Sequence, residues 1–207
     1  MTKKMVIILL LMLVIATAIT ASLMVRLQNN DSLLKMDAIE GKTKADELAN
    51  IWHDDAIFLG IGLNGEIDSD GKATSWIYSY FSPSTESLSN NLSMYEVLNA
   101  YISSDNDYDT VIKHSVLHTE PVLNVSINSC DTMSIAKNTQ EINAFLSRYS
   151  DAKVDHFYLR VDDNYSQNAI WDIRWLSPGG LDDPHNAYIV IDASTGEVLE
   201  VEVQMDS

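Results

Sequence analysis

Residues 187–202 read "AYIVIDASTGEVLEVE". Two runs rich in Val, Ile and Leu flank Asp192-Ala193-Ser194-Thr195-Gly196. Asp, Ser, Thr and Gly are the residue types of a phosphate or metal loop. Such a loop, however, leads from its glycine into a helix whose N-terminus faces the anion. Here Gly196 leads into "EVLEVEV", which alternates and is β-branched, as a strand does. The stretch is therefore read as strand, tight turn, strand. Asp192 and Ser194 can bond nearby amides, and Gly196 can take a positive φ. That reading makes the C-terminal part of the chain antiparallel sheet.

The same logic extends upstream. In "AIWDIRWLSP" (169–178), Trp171, Ile173 and Trp175 share one face of a strand, and Trp171 and Trp175 are its structural aromatics. "AKVDHFYLRVDD" (152–163) sets Val154, His156, Tyr158 and Arg160 against Asp155, Phe157, Leu159 and Val161. "CDTMSIAKNTQEINAFLSRYS" (130–150) is one helix or two short ones, with Ile135, Ala136, Ile142, Phe145, Leu146 and Tyr149 as its apolar stripe.

The first half follows a similar course. "TKADELANIWHDD" (43–55) has helical spacing at Ala45, Leu48, Ala49 and Trp52. "AIFLGIGLNGEID" (56–68) is a strand that breaks at Asn64-Gly65, and "DSDGK" is turn chemistry. "ATSWIYSYFSP" (73–83) alternates with Trp76, Tyr78 and Tyr80 on one face. "SMYEVLNAYIS" (93–103) is a strand, with a helix as the alternative, and 105–120 is left unassigned. "WIYSYFSP" and "WDIRWLSP" share Trp, Ser and Pro at an offset of 95 residues. Two copies of a helix-then-antiparallel-sheet unit are expected.

The order helix, antiparallel strands, "W-x-I-x-W", then "AYIVIDASTGEVLEVE" resembles the PepSY domain. The resemblance spans about 131–204 and rests on Asp192, Ala193, Thr195, Gly196, Glu197, Val198 and Leu199. Residues 43–103 resemble it weakly, with no counterpart of "DASTGEVL". The resemblance implies a non-catalytic regulatory or inhibitory module acting outside the cytoplasm, with a peptidase as one partner it implies, since PepSY domains occur in protease propeptides. It transfers no active site, and the motif residues are structural.

The chain has 207 residues, of which 46% are apolar, enough for a substantial core. Its formal net charge is −17. Of thirteen basic residues, Lys3, Lys4 and Arg26 flank the N-terminal apolar run, which leaves ten against thirty acids from residue 27 onward. That surface repels nucleic acid, so no nucleic-acid partner is expected. One cysteine, Cys130, rules out an intramolecular disulfide and a cysteine-based zinc site.

Met5–Val25 are 21 uncharged, mostly apolar residues behind Lys3 and Lys4. At about 1.5 Å per residue they span the roughly 30 Å hydrocarbon core of a bilayer. The lysines place the N-terminus in the cytoplasm and the acidic body outside. A signal peptide cleaved after "ATA" (16–18) is the alternative and gives a secreted body. Asn30, Asn91, Asn124 and Asn164 begin sequons.

The expected fold is thus α+β: a transmembrane helix followed by two tandem helix-plus-antiparallel-sheet, PepSY-like units. The expected divisions are 1–26 as anchor or signal peptide, 27–42 as spacer, 43–120 as the degenerate unit and 121–207 as the second. No cofactor, metal or catalytic residue is assigned. The expected partners are the membrane, through residues 5–25, and a protein such as a peptidase.

Several motifs fall short of a site. His114 and His118 lie four apart, but no Glu follows His114, so the zinc-peptidase pattern is absent. "DNDYDT" (Asp105, Asp107, Asp109) begins like a calcium loop. It has Thr110 where glycine belongs and Val116 where the bidentate Glu belongs. No "GxSxG", Walker loop, "SxxK" or dinucleotide fingerprint occurs. The alternative function is an extracytoplasmic hydrolase with an acidic and His-lined cleft between the units. Whether His53, His114, His118 and His156 converge is the observation that bears on it most directly.

Overall fold

A computed structural model describes residues 35–89, 92–105, 107–117, 120–165, 168–177 and 185–205. Asn30, Asn91, His118 and the apolar run 5–25 lie outside them.

Alternation in the aromatic strands builds the core. Trp76, Tyr78 and Tyr80 of β2 (Ser75–Phe81) and Trp171, Ile173 and Trp175 of β7 (Ala169–Ser177) are all buried. They join Phe157 and Leu159 of β6 (Lys153–Val161), Ala187, Ile189 and Ile191 of β8 (His185–Asp192), and Leu98, Ala100 and Ile102 of β4 (Leu92–Ser103) in one cluster. With β1 (Ile57–Leu63), β3 (Ser87–Ser89), β5 (Tyr108–Ser115) and β9 (Val198–Gln204) they form a nine-stranded antiparallel sheet. The strand order is β3-β4-β2-β1-β6-β7-β8-β9, with β5 paired to β4.

Among the described residues three α-helices cover one face of this sheet. In α1 (Lys42–Trp52), Ala45 and Ala49 are buried, and small side chains let the helix lie close to β4 and β2. Helices α2 (Ser129–Asn138) and α3 (Gln140–Arg148) are separated at Thr139, whose φ of −70° and ψ of 130° are extended. The one-or-two-helix region of the sequence is therefore two helices. Asn128 caps α2 by accepting the Asp131 amide at 2.7 Å.

Two of the three buried strand tryptophans hold chain that leads into a helix. Trp76 Nε1 donates to the Met36 carbonyl at 3.0 Å, and Trp171 Nε1 donates to the Ile127 carbonyl at 2.7 Å. Each bond satisfies a buried indole N–H and fixes where the helix starts.

The expected fold class is corrected here. The sheet is not divided into two tandem helix-plus-sheet units, because Ile61 lies opposite Leu159 and Gly62 opposite Tyr158, which makes one continuous sheet of the strands of both halves. Met36–Ser207 is one compact unit. The physical reason is the exposed backbone of an edge strand, which pairing β1 with β6 satisfies for both halves at once. Among the described residues the helices also differ between halves, one in the first and two in the second. Among the described residues no helix is long and apolar enough to cross a membrane.

Candidate binding face

The face of the sheet opposite the helices carries no helix among the described residues. Its centre is set by "IFLGIGL", the sequence of β1. Side chains of a strand alternate, so Ile61 enters the core while Gly60 and Gly62 both point to the open face. Glycine in a strand interior weakens it and marks close approach of another group. Here a Cβ on Gly60 would meet the Leu159 carbonyl oxygen at 2.3 Å, and one on Gly62 would meet the Tyr158 ring at 2.7 Å.

Neighbouring strands complete a trough above the glycines. Gly62 is opposite Ile77, and Ile77 is opposite Tyr101. Gly60 is opposite Ser79, and Ser79 is opposite Asn99, to which its hydroxyl donates at 2.8 Å. Tyr158 and Arg160 form the other wall, and Lys113 of β5 lies at the margin. The trough holds about 370 Å3 and offers more apolar than polar surface. Tyr158 is 37% exposed, unusual for a central-strand aromatic.

A polar network supports the Tyr158 wall. The Asp172 side chain is buried at the centre of β7 and accepts from Arg160 Nε at 2.7 Å. The His156 imidazole approaches the other Asp172 oxygen, and its ring lies 4.2 Å from that of Tyr158. Arg160 also reaches Asp162. Burial alone would lower the Arg160 pKa, but the bonds and charge of Asp172 and Asp162 outweigh it and raise it. Burial and the nearby Asp172 charge raise the Tyr188 hydroxyl as well. Arg174 pairs with Asp155 at 2.6 Å, and that partner is the main reason its pKa is raised. A buried carboxylate held between a guanidinium and an imidazole is an organising element, since breaking such a pair strands a charge. A His–carboxylate pair could also orient a general base. Among the described residues, however, no hydroxyl or thiol is hydrogen-bonded to His156.

Two of the four candidate histidines meet at one carboxylate, and a third lies apart from them. His53 and His114 lie 3.8 and 3.5 Å from Glu96 oxygens, at the helix-side end of β4 and β5. His156 is on the opposite face, and His118 is outside the described residues. Among the described residues no three His, Cys, Asp or Glu side chains are placed to hold a metal. Asp105, Asp107 and Asp109 accept from the backbone amides of Asp107, Tyr108 and Thr110, so each carboxylate serves its own loop.

The turn motif reverses the chain between β8 and β9. Asp192 Oδ1 accepts from the Ser194 and Thr195 amides, both at 2.8 Å, and from both hydroxyls. Burial alone would raise the Asp192 carboxyl, but these bonds outweigh it and hold its pKa at about 2. Gly196 has a φ of 78°. Ala193 is buried, and Glu197, Val198 and Leu199 lead into or begin β9 at the surface. Cys130 lies near Asp37, and burial, then the hydrogen bond to Asp37, push its thiol up to about 12.

Sequence reasoning did not single out Gly60, Gly62, Ile77, Tyr101 or Tyr158 as a group. The available signal was the G-x-G spacing inside an apolar strand, which puts both glycines on one face.

No family model matches the chain, and no curated protein matches it. A solved structure from Clostridium difficile 630, provisionally described as a lipoprotein, is similar in part. It is 17% identical, with 79% of this chain and 92% of that chain covered and a TM-score of 0.47. A likeness of that size carries no argument about function.

Proposed function

We propose that this protein is a membrane-tethered, extracytoplasmic binding module that engages a protein partner on the open face of its sheet. The observation that carries the reading is the Gly60–Gly62 trough, walled by Ile77, Tyr101 and Tyr158. It lies at the centre of a face that no helix covers among the described residues. Exposed aromatic and apolar groups around bare backbone suit an inserted side chain or an extended segment. The apolar run behind Lys3 and Lys4 supports the tether and the outward orientation. The PepSY resemblance of residues 131–204 supports a regulatory, non-catalytic role, with a peptidase or another cell-surface protein as the partner.

Affinity capture from native membranes tests the proposal. The tagged full chain is compared with an Ile77→Arg variant, which places a charge in the trough without touching the core. The expected result is a protein retained by the native chain and lost with Ile77→Arg. Equal retention by both chains would refute the open-face reading.

A further inference from the structure

The two edges of the sheet differ in how they meet another strand. At one edge, β9 carries Glu200 and Glu202 and no basic residue between Val198 and Gln204. A second copy laid antiparallel on β9 would bring carboxylates together, and like charges opposite one another oppose pairing. At the other edge, β5 pairs only with β4 among the described residues. Its sequence, Tyr108-Asp109-Thr110-Val111-Ile112-Lys113-His114-Ser115, carries one acid and one base. In a chain of net charge −17 this edge is locally neutral.

Among the described residues no further strand covers the β5 edge, and two of its larger side chains are open. Tyr108 and Ile112 are each 51% exposed. Lys113 forms no ion pair among the described residues, and Asp109 bonds only to the amide of Thr110. No proline interrupts the strand.

We infer that the chain pairs with a second copy of itself through β5, antiparallel, about a two-fold axis at Val111. The sequence is complementary to its own reverse about that residue. Asp109 of each copy falls opposite Lys113 of the other, and Val111 falls opposite Val111, all on the open face. Thr110 falls opposite Ile112 and Tyr108 opposite His114 on the helix side. A slip of two residues in either direction takes Lys113 off Asp109.

The backbone satisfies the same register. The Ser103 amide donates to the Asp107 carbonyl at 2.9 Å, directly across the β4–β5 ladder. In an antiparallel ladder hydrogen-bonded pairs alternate with non-bonded ones, so Asp109, Val111 and Lys113 turn their amides toward β4. Tyr108, Thr110, Ile112 and His114 turn theirs outward; the Asp107 and Asp109 carboxylates hold the first two at 3.0 and 2.8 Å and must release them to a new strand, while those of Ile112 and His114 face it directly. Pairing about Val111 matches outward residues with outward residues throughout. It closes an edge that would otherwise offer unpaired backbone, and the interface is isologous, as a two-fold requires. A shared membrane tether raises the effective concentration of one copy for another. The inference concerns the strand edge and does not rest on the open-face reading of function.

The test is cysteine cross-linking of the full chain in native membranes, on a Cys130→Ser background. Val111→Cys brings two thiols face to face at a non-bonded pair, the closer of the two antiparallel pair types. Under mild oxidation it should give a disulfide-linked dimer at least ten-fold more efficiently than Glu202→Cys on the opposite edge. Adding Lys113→Asp, or Asp109→Lys, should reduce that yield at least ten-fold. Combining Asp109→Lys with Lys113→Asp should restore it, which also shows that the single variants failed through charge and not through misfolding. A Val111→Cys yield no higher than that of Glu202→Cys would overturn the proposal, as would a yield indifferent to the single reversals or a double reversal that fails to rescue.

Discussion

Tyr158 lies opposite Gly62 in the β1–β6 ladder, and a Cβ on Gly62 would come within 2.7 Å of its ring. The exposed tyrosine wall of the trough therefore depends on the missing side chain beside it. Gly62→Ala is expected to displace the ring, which can rotate, and to change stability by less than about 1 kcal/mol. Gly60→Ala is different, because its Cβ would meet the Leu159 backbone oxygen at 2.3 Å, and backbone cannot step aside without disturbing the ladder. It is expected to cost about 1–3 kcal/mol. Urea denaturation of both variants checks the order, and equal costs would contradict the packing described.

Trp171 both fills the core and holds the Ile127 carbonyl at 2.7 Å. Trp171→Ala should cost about 3–5 kcal/mol through lost burial. Trp171→Phe keeps most of the packing and removes the bond, leaving that carbonyl without its donor, for about 1–3 kcal/mol. Thermal unfolding of the pair separates the two contributions. An unchanged midpoint in both would mean that the ring is not part of the core.

The Asp192 turn gives a pH dependence whose sign is fixed by its hydrogen bonds. The folded pKa of about 2 lies below the ordinary value of 3.8. The carboxylate therefore stabilises the fold above about pH 4, and this contribution is lost as pH falls from about 4 toward 2. With solvent screening at the turn it amounts to about 1–2 kcal/mol. Asp192→Asn keeps an acceptor oxygen but not the charge, so its stability relative to the native chain should converge as pH falls through this window. Gly196→Ala, at a φ of 78°, should cost about 1–2 kcal/mol at every pH. Parallel acid titrations of unfolding for the three chains check both statements.

Cys130 should be a poor nucleophile. Its thiol, raised to about 12 by burial and the Asp37 bond, is overwhelmingly protonated at neutral pH. Alkylation of the folded chain at pH 8 is expected to run at least ten-fold slower than that of the urea-unfolded chain. Equal rates would show an open, ionised thiol.

Much of this architecture was legible in the residues. Alternation placed Trp76, Tyr78, Trp171 and Trp175 on inward faces, and Gly196 followed by an alternating run distinguished a hairpin from a ligand loop. The joining of β1 to β6 was not legible. A period of two fixes which face a side chain takes but not which strand lies beside it, and Gly62 opposite Tyr158 is a pairing across nearly a hundred residues. The bulge between Val154 and His156 was likewise hidden. It lets Val154 pack against the core while His156 joins the open face, although strict alternation puts them together. The trough was missed for a related reason. Gly60 and Gly62 are conspicuous in sequence, but their meaning depends on Ile77, Tyr101 and Tyr158 from three other strands.

On the proposed function the open face, and not the helix side, meets the partner. Site-specific photocross-linking in native membranes tests it most directly. A photoreactive phenylalanine analogue is placed singly at Ile77, Tyr101 or Tyr158 on the open face, and at Ile51 or Glu141 on the exposed sides of α1 and α3. The predicted result is a discrete higher-mass adduct, the same for all three open-face positions and missing for both helix positions. Adducts confined to Ile51 and Glu141, or formed equally at all five, would contradict it.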